Sequence, residues 1–517
     1  MSDNLDFDIV TPNYIFKMEV GNMTKLTKLR KQQKRDKKKK AAQKAKITQQ
    51  QQKAFEKKKL RNIFANGRQI TRRQFDAYFY SRMPLVRFQA IEVEWYSFLN
   101  NTLLGIVFQD ATDRDYGFAI MGRDTRKLYR WVNGSKDFHS TPVKAREEMA
   151  VLINSKYAKD PQDIYPQGDE VDPTMDLFNA IIPEDKQHHG YKIIANEPRF
   201  EAGRSIINEI ANSFVDNDGH FVREFQSVNF NARLWEMYLH VYLHTQGLQI
   251  HNNHAAPDFE VDYFDEKYFI EAVTVNPSGN PARPDLPPPE DHKDIVERLS
   301  DYMPIKFGSP LFSKLKHKYW EQKHVKDHSL IFAIHDYHND NSMTWSRTAL
   351  SEYLYGARTR IVDGKPELEK IEFHEWDGKR IPSGFFSQEG AENISAVLFS
   401  NQATIPKFNR MGKIAGLGSE DVTMLRQGFL YNPEGLHPIP FSKNVDDPDY
   451  EESWSDGLVM FHNPNAIHKV SPDAFSDISH IFYSEEEGFT GFHQPYDVLN
   501  SMTVVVTTKP ETEVDAA

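Results

Sequence analysis

Between residues 231 and 275 the chain changes from helical to strand periodicity, and each apolar stretch carries a carboxylate. Glu236 lies within Leu234-Trp235-Glu236-Met237-Tyr238-Leu239, Asp258 follows Pro257, and Glu271 interrupts the β-run from Tyr268 to Val275. An ionised carboxylate in apolar surroundings loses several kcal/mol of hydration unless a cation or hydrogen bonds replace it. Three such groups in one short segment limit how the segment folds, because their charges need a common solution. A shared cation supplies one.

The surrounding residues, 198–356, alternate helix and strand. Apolar spacing at Ile206, Ile207, Ile210 and Phe214 predicts a helix from Glu201 to Phe214. A second helix is predicted from Asn231 to Gln246, with Gly247 as its C-terminal cap. Strands follow at Leu248–Asn252, Phe259–Phe264 and Tyr268–Val275, the last two as a hairpin through Asp265-Glu266-Lys267. The Pro-rich stretch Pro277–Pro289 reads as a loop. Then come a helix over Leu311–Lys326, an apolar strand Ser329–His335 and a helix through Leu350 and Tyr353. Such an order makes a compact α/β unit. Helical spacing places Arg233, Glu236, His240 and His244 on one seam. Taken alone, that seam reads as a solvent-facing stripe. The hairpin changes its weight, since alternation puts Glu271 on one face with Phe269, Val273 and Val275.

The flanks differ in character. Residues 21–70 hold eighteen Lys or Arg against Asp36 and Glu56, a surplus of sixteen positive charges. With a net charge of -11 overall, the rest of the chain therefore carries about −27. Residues 1–62 are expected to form a basic arm, disordered or a solvated helix, whose role is either phosphate binding or solubility. Residues 63–160 read as a β-rich accessory domain, with strands near 92–98, 104–108, 116–121 and 127–132 and a helix from Pro142 to Tyr157. Residues 361–517 read as a β-rich C-terminal region, with strands at Ile371–His374, Ala396–Phe399 and Met502–Val506, and a turn at His462–Ala466. The acidic start has no apolar stretch behind it, and no apolar run reaches about eighteen residues. Neither a signal peptide nor a membrane span is expected, and the location expected is cytoplasmic. The absence of cysteine excludes disulfides, thiolate zinc sites and a cysteine nucleophile. Any metal must be held by Asp, Glu, His or backbone oxygen, which favours hard cations.

A helical Glu, then Pro-Asp, then a mid-strand Glu resembles the PD-(D/E)XK nuclease superfamily over about residues 198–356. The resemblance implies an α/β fold: a central nuclease-like mixed sheet flanked by helices, here with β-rich N- and C-terminal domains. It implies that Glu236, Asp258 and Glu271 bind Mg²⁺ or Mn²⁺ for phosphodiester hydrolysis, with nucleic acid as partner, DNA rather than RNA. The chain departs from the pattern at Val273, where the superfamily normally carries Lys. The helix over 311–326 offers Lys314 and Lys318 as substitutes, as some members of the superfamily do, and Lys318 is preferred because Leu315 and Tyr319 border it. His335-Asp336-Tyr337-His338 is a weaker candidate element of the same cleft. No Gly-x4-Gly-Lys-Ser/Thr loop, His-Glu-x-x-His or Gly-x-Ser-x-Gly occurs. Two other readings stay open: a nuclease fold that only binds nucleic acid or protein, and a purely structural polar network.

Overall fold

The computed structural model describes residues 66–507 except 79–85, 171–173, 218, 279–283, 340–344, 364, 436 and 496, plus scattered positions between 31 and 44. The expected arm over 1–62 lies almost wholly outside the described residues, and those described within it are helical and exposed.

The first unit is a five-stranded antiparallel meander: β1 (Gly67–Ile70), β2 (Ala90–Phe98), β3 (Leu103–Asp110), β4 (Tyr116–Arg123) and β5 (Tyr129–Gly134). Helix α1 (Pro142–Leu152) buries Ala145, Met149 and Ala150 against Tyr96, Phe98, Val107 and Ile120 of this sheet. The strands expected in this stretch are therefore present, as one sheet with a covering helix. Arg123 on β4 joins it to the next unit through a two-pronged pair with Glu209, Nη2 to Oε1 at 2.8 Å.

Next come α2 (Glu201–Ser213) and α3 (Phe230–Thr245), then β6 (Gln249–His251), β7 (Phe259–Tyr263) and β8 (Glu266–Val275). These three strands form an antiparallel meander. Helix α4 (Met303–Leu315) carries the chain back to β9 (Ser329–Asp336), which lies parallel to β8. Helix α5 (Arg347–Tyr355) and the hairpins β10 (Ala357–Val362) with β11 (Lys365–Lys370) and β12 (Phe373–Trp376) with β13 (Lys379–Pro382) follow. The chain then returns to the sheet at β14 (Ala396–Ser400), passes through α6 (Ile405–Ile414), and leaves it for β15 (Val422–Leu430) and β16 (Ile439–Asn444). It ends with β17 (Val459–His462), β18 (Ser479–Ser484), β19 (Gly488–Phe492) and β20 (Val498–Thr507).

The central sheet has eight strands in the order β19-β18-β17-β14-β9-β8-β7-β6 and mixes parallel and antiparallel pairs. One expectation is corrected here. Residues 361–517 are not a separate β-rich domain, because β14, β17, β18 and β19 complete the sheet begun before residue 356. The turn expected at His462–Ala466 is present, with the Ala466 amide donating to the Asn463 carbonyl at 3.2 Å, and His462 itself closes strand β17. A smaller sheet, β16-β15-β20, lies apart from it.

Side-chain alternation splits the central sheet into two cores. Ile270, Ile331, Ala333 and Leu398 face α2, α3 and α6, while Phe269, Val273, Phe332, Ile334 and Val397 face α4 and α5. Strand β9, buried at every position, forms the spine of the sheet. Helix α3 is buried from Leu234 to Leu243, so any polar group on it must be matched by the protein. Where α2 crosses α6, a Cβ on Gly412 would lie 2.1 Å from the Ala202 carbonyl oxygen, so the crossing requires glycine there. Beside it, Lys407, Arg410 and Arg426 surround the fully buried Glu452, with contacts of 2.8, 2.8 and 3.2 Å. Among the described residues, no helix is long and apolar enough to cross a membrane.

Candidate active site

The register of β7 on β8 builds the opening in which the acids meet. Pairing stops at Phe259 opposite Ile270, so the edge of β8 beyond Ile270 has no strand beside it there. The amide of Ala272 faces that gap, and an unmatched backbone donor is costly. Asp258, one residue before β7 and directly after the cis Ala256-Pro257 bond, supplies the acceptor: Oδ2 lies 2.7 Å from the Ala272 nitrogen. The Pro-Asp step thus ends the hairpin and aims a carboxylate at β8. Asp258 keeps solvent access although protein surrounds it, which describes a group on the floor of a cleft.

Glu271 projects from the same stretch of β8 into the α4 side, and it is 3% exposed. Its Oε1 accepts from Lys314 Nζ and from the Tyr319 hydroxyl at 2.7 Å. Its Oε2 is buried with no hydrogen-bond partner. Glu236 comes from the opposite face of the sheet. Trp235 Nε1 donates to the Ala333 carbonyl at 2.9 Å, locking the rotation of α3 and directing its neighbour towards the gap. Arg233, one turn earlier, donates to Glu236 Oε2 at 2.6 Å and also holds Glu224.

The charges of these acids act on one another. Burial pushes the Glu236 carboxyl up to about 7 against the pull of Arg233, and negative charge on Glu271 and Glu224 adds to the rise. Asp258 is pushed well above the usual carboxylate range, first by burial and then by Glu271 and Glu236, with Lys314 opposing. Burial and Glu271 likewise push the Tyr319 hydroxyl well up, so it stays protonated and remains a donor to Glu271. Like charges in one cleft raise each other's proton affinity, and a divalent cation removes that conflict.

Glu236, Asp258, Glu271 and Lys314 are brought together. Lys318 is not. Helix α4 ends at Leu315 rather than continuing to 326, and Lys318 adopts a left-handed conformation (φ 50°) ahead of the short 3₁₀ turn Tyr319–Glu321. That bend throws the Lys318 side chain outward, where it is 59% exposed and pairs with Glu321 at 3.4 Å. Lys314, on the last turn of α4, reaches Glu271 instead. Val273 is 2% exposed in the apolar cluster with Phe269 and Leu311.

The seam on α3 divides. Arg233 and Glu236 belong to the cleft, whereas His240 bonds Ser213 of α2 at 2.8 Å and is pushed down to about 3 by burial. The His335–His338 turn serves the fold: His335 Nε2 accepts from the Ala403 amide at 3.0 Å, and Asp336 bonds His338 Nδ1 at 2.8 Å. Tyr319 and Glu224 escaped the sequence reading as site residues. Tyr319 carried a local signal, as a tyrosine five residues beyond Lys314, while Glu224 carried none.

A cavity of about 1010 Å³ opens at the C-terminal end of β8, lined by Thr274, Val275, Lys306, Ser309 and Pro310 among others. The three carboxylates do not line it; Pro310 is one helical turn from Lys314. Among the described residues no group of three His, Asp or Glu stands ready-made to hold a metal ion. Each acid already has a protein partner, in Arg233, the Ala272 amide or Lys314. The orphaned Glu271 Oε2, beside the solvent-open Asp258, is nevertheless an all-oxygen donor set of the kind hard cations take. No family model, curated protein or solved structure matches the chain.

Proposed function

We propose that the chain is a divalent-metal-dependent nuclease of the PD-(D/E)XK kind, hydrolysing phosphodiester bonds in the cleft between α3, β8 and α4. One observation carries the reading. Three carboxylates from a helix, a Pro-Asp step and a mid-strand position raise one another's proton affinity, and the strand Glu carries a Lys on one oxygen and leaves the other buried and unmatched. The order helix, three-stranded meander, helix, parallel strand supports it.

Asp258 and Glu271 would hold Mg²⁺ or Mn²⁺, with Glu236 completing the negative cleft. A bound cation would lower the pKa of a water and stabilise charge on the scissile phosphate. The chain's own groups do the rest. Lys314 fixes the Glu271 rotamer through one N–H and keeps further donors for a phosphate oxygen. Tyr319 holds the same oxygen from the other side. Glu236, exchanging its proton near neutrality, can take one from a water beside the phosphate.

The test is cleavage of plasmid, linear duplex, single-stranded DNA and RNA with Mg²⁺ or Mn²⁺. Asp258→Asn and Glu271→Gln should each abolish it. Cleavage that persists in both variants excludes this site. The apolar burial of Val273 favours a second reading, a nuclease fold that binds without cutting. Calorimetric titration showing no Mg²⁺ or Mn²⁺ binding, together with intact DNA binding, selects that alternative.

A further inference from the structure

The segment from Lys314 to Lys326 does more than supply one ammonium to the cleft. It touches the site at three places. Lys314 and Tyr319 both bond Glu271 Oε1, and His324 Nε2 bonds the Ala256 carbonyl at 2.9 Å, directly ahead of Pro257-Asp258. His324 also stacks on His254 with ring centres 3.7 Å apart, and His254 bonds Glu260 at 3.0 Å. The segment therefore frames both halves of the carboxylate cleft.

Between these anchors its cations face water. Lys316, Lys318, Lys323 and Lys326 are all exposed. Lys316 and Lys318 sit in the short excursion between Lys314 and Tyr319, so neither backbone position is more than two residues from one that touches Glu271. At about 3.8 Å per residue, both backbone positions lie close to the cleft, with their side chains turned to solvent. The Lys316 ammonium lies 4.3 Å from the centre of the Phe312 ring, which is 42% exposed. Five lysines stand here against Glu321 and Asp327, on a body whose net charge outside residues 21–70 is strongly negative. Such a local reversal of charge at the lip of an acidic cleft offers a polyanion a favourable place to lie on a body that otherwise repels it.

We infer that Lys316, Lys318, Lys323 and Lys326 form the surface that grips the sugar-phosphate backbone of a nucleic acid laid across the cleft. This rests on the nuclease reading for its purpose but not for its measurement. Lys318 then has a role outside the cleft, holding substrate phosphates rather than the reacting one.

The experiment uses the full-length protein and a short labelled duplex DNA in EDTA, with anisotropy followed over a potassium chloride series. Each lysine that neutralises a phosphate contributes about 0.9 to the slope of log K against log salt. The variant with all four lysines changed to Gln should lower that slope by about 2 to 4, with its melting temperature unchanged. The four corresponding Lys→Arg changes should restore it. Changing Lys37, Lys38, Lys39 and Lys40 to Gln measures the arm separately, so the two contributions are read independently. An unchanged slope and affinity in the four-Gln variant overturns the proposal. Cleavage with an unchanged slope leaves the nuclease standing and removes this surface. A lowered slope in a protein that cuts nothing with any divalent cation does the reverse.

Discussion

Replacing Glu236 with Gln separates the electrostatic cost of the cleft from its chemistry. In the fold, burial moves this carboxyl from its ordinary 4.5 up to about 7. The folded chain therefore keeps a proton that the unfolded chain releases near pH 4.5, so stability falls as pH climbs from there through 7. At about 1.4 kcal/mol per pH unit, the displacement corresponds to about 3 kcal/mol. Gln has the shape of the protonated acid, still accepts from Arg233, and does not ionise. Near about pH 5 variant and parent should differ by less than about 1 kcal/mol; near about pH 8 the variant should gain about 3 kcal/mol relative to that difference. Urea unfolding in EDTA at the two pH values reads this directly. Adding Mn²⁺ at the higher pH should stabilise the parent more than the variant, because the cation supplies the missing counter-charge. A difference between the two proteins that stays the same at both pH values refutes the reasoning.

Lys314→Met leaves Glu271 buried with Tyr319 as its remaining bonded partner; it should cost about 3 kcal/mol by chemical denaturation and remove cleavage. His240, His335 and His462 are each pushed down to about 3 by burial, so their contribution is complete above the ordinary 6.5 and is lost as pH falls towards 3. His240→Gln, which keeps a partner for Ser213, should therefore move the acid-unfolding midpoint to lower pH by circular dichroism; an unmoved midpoint counts against the assignment. Glu452→Ala strips the counter-charge from Lys407, Arg410 and Arg426 and should cost more than about 4 kcal/mol, visible as lost soluble yield and a lower melting temperature.

Local periodicity made the hairpin, α3 and the accessory meander legible, because each is specified by contacts close in sequence. The three acids were legible for the same reason: a charge in an apolar run is visible without knowing its partner. What joins β14 and β17 to the sheet is not local. Ala396 pairs with Ile331 and with His462, each more than sixty residues away, and four-residue Val459–His462 is too short to show a period. The choice between Lys314 and Lys318 turned on where α4 stops. Its end is made by Lys318 at φ 50°, a conformation usually marked by Gly or Asn, so no residue type announced it. Tyr319 was read as an apolar border, and only the fold turns its hydroxyl towards Glu271.

The eight-stranded sheet also decides what can be cut away. Excising residues 198–356 would leave β9 with a bare edge along Ile331–His335, where β14 now binds, and every residue of that strand is normally hidden from water. An uncovered apolar rim of this kind recruits other chains. That fragment alone should precipitate, and the late strands are as necessary to the acids as the helix that carries Glu236.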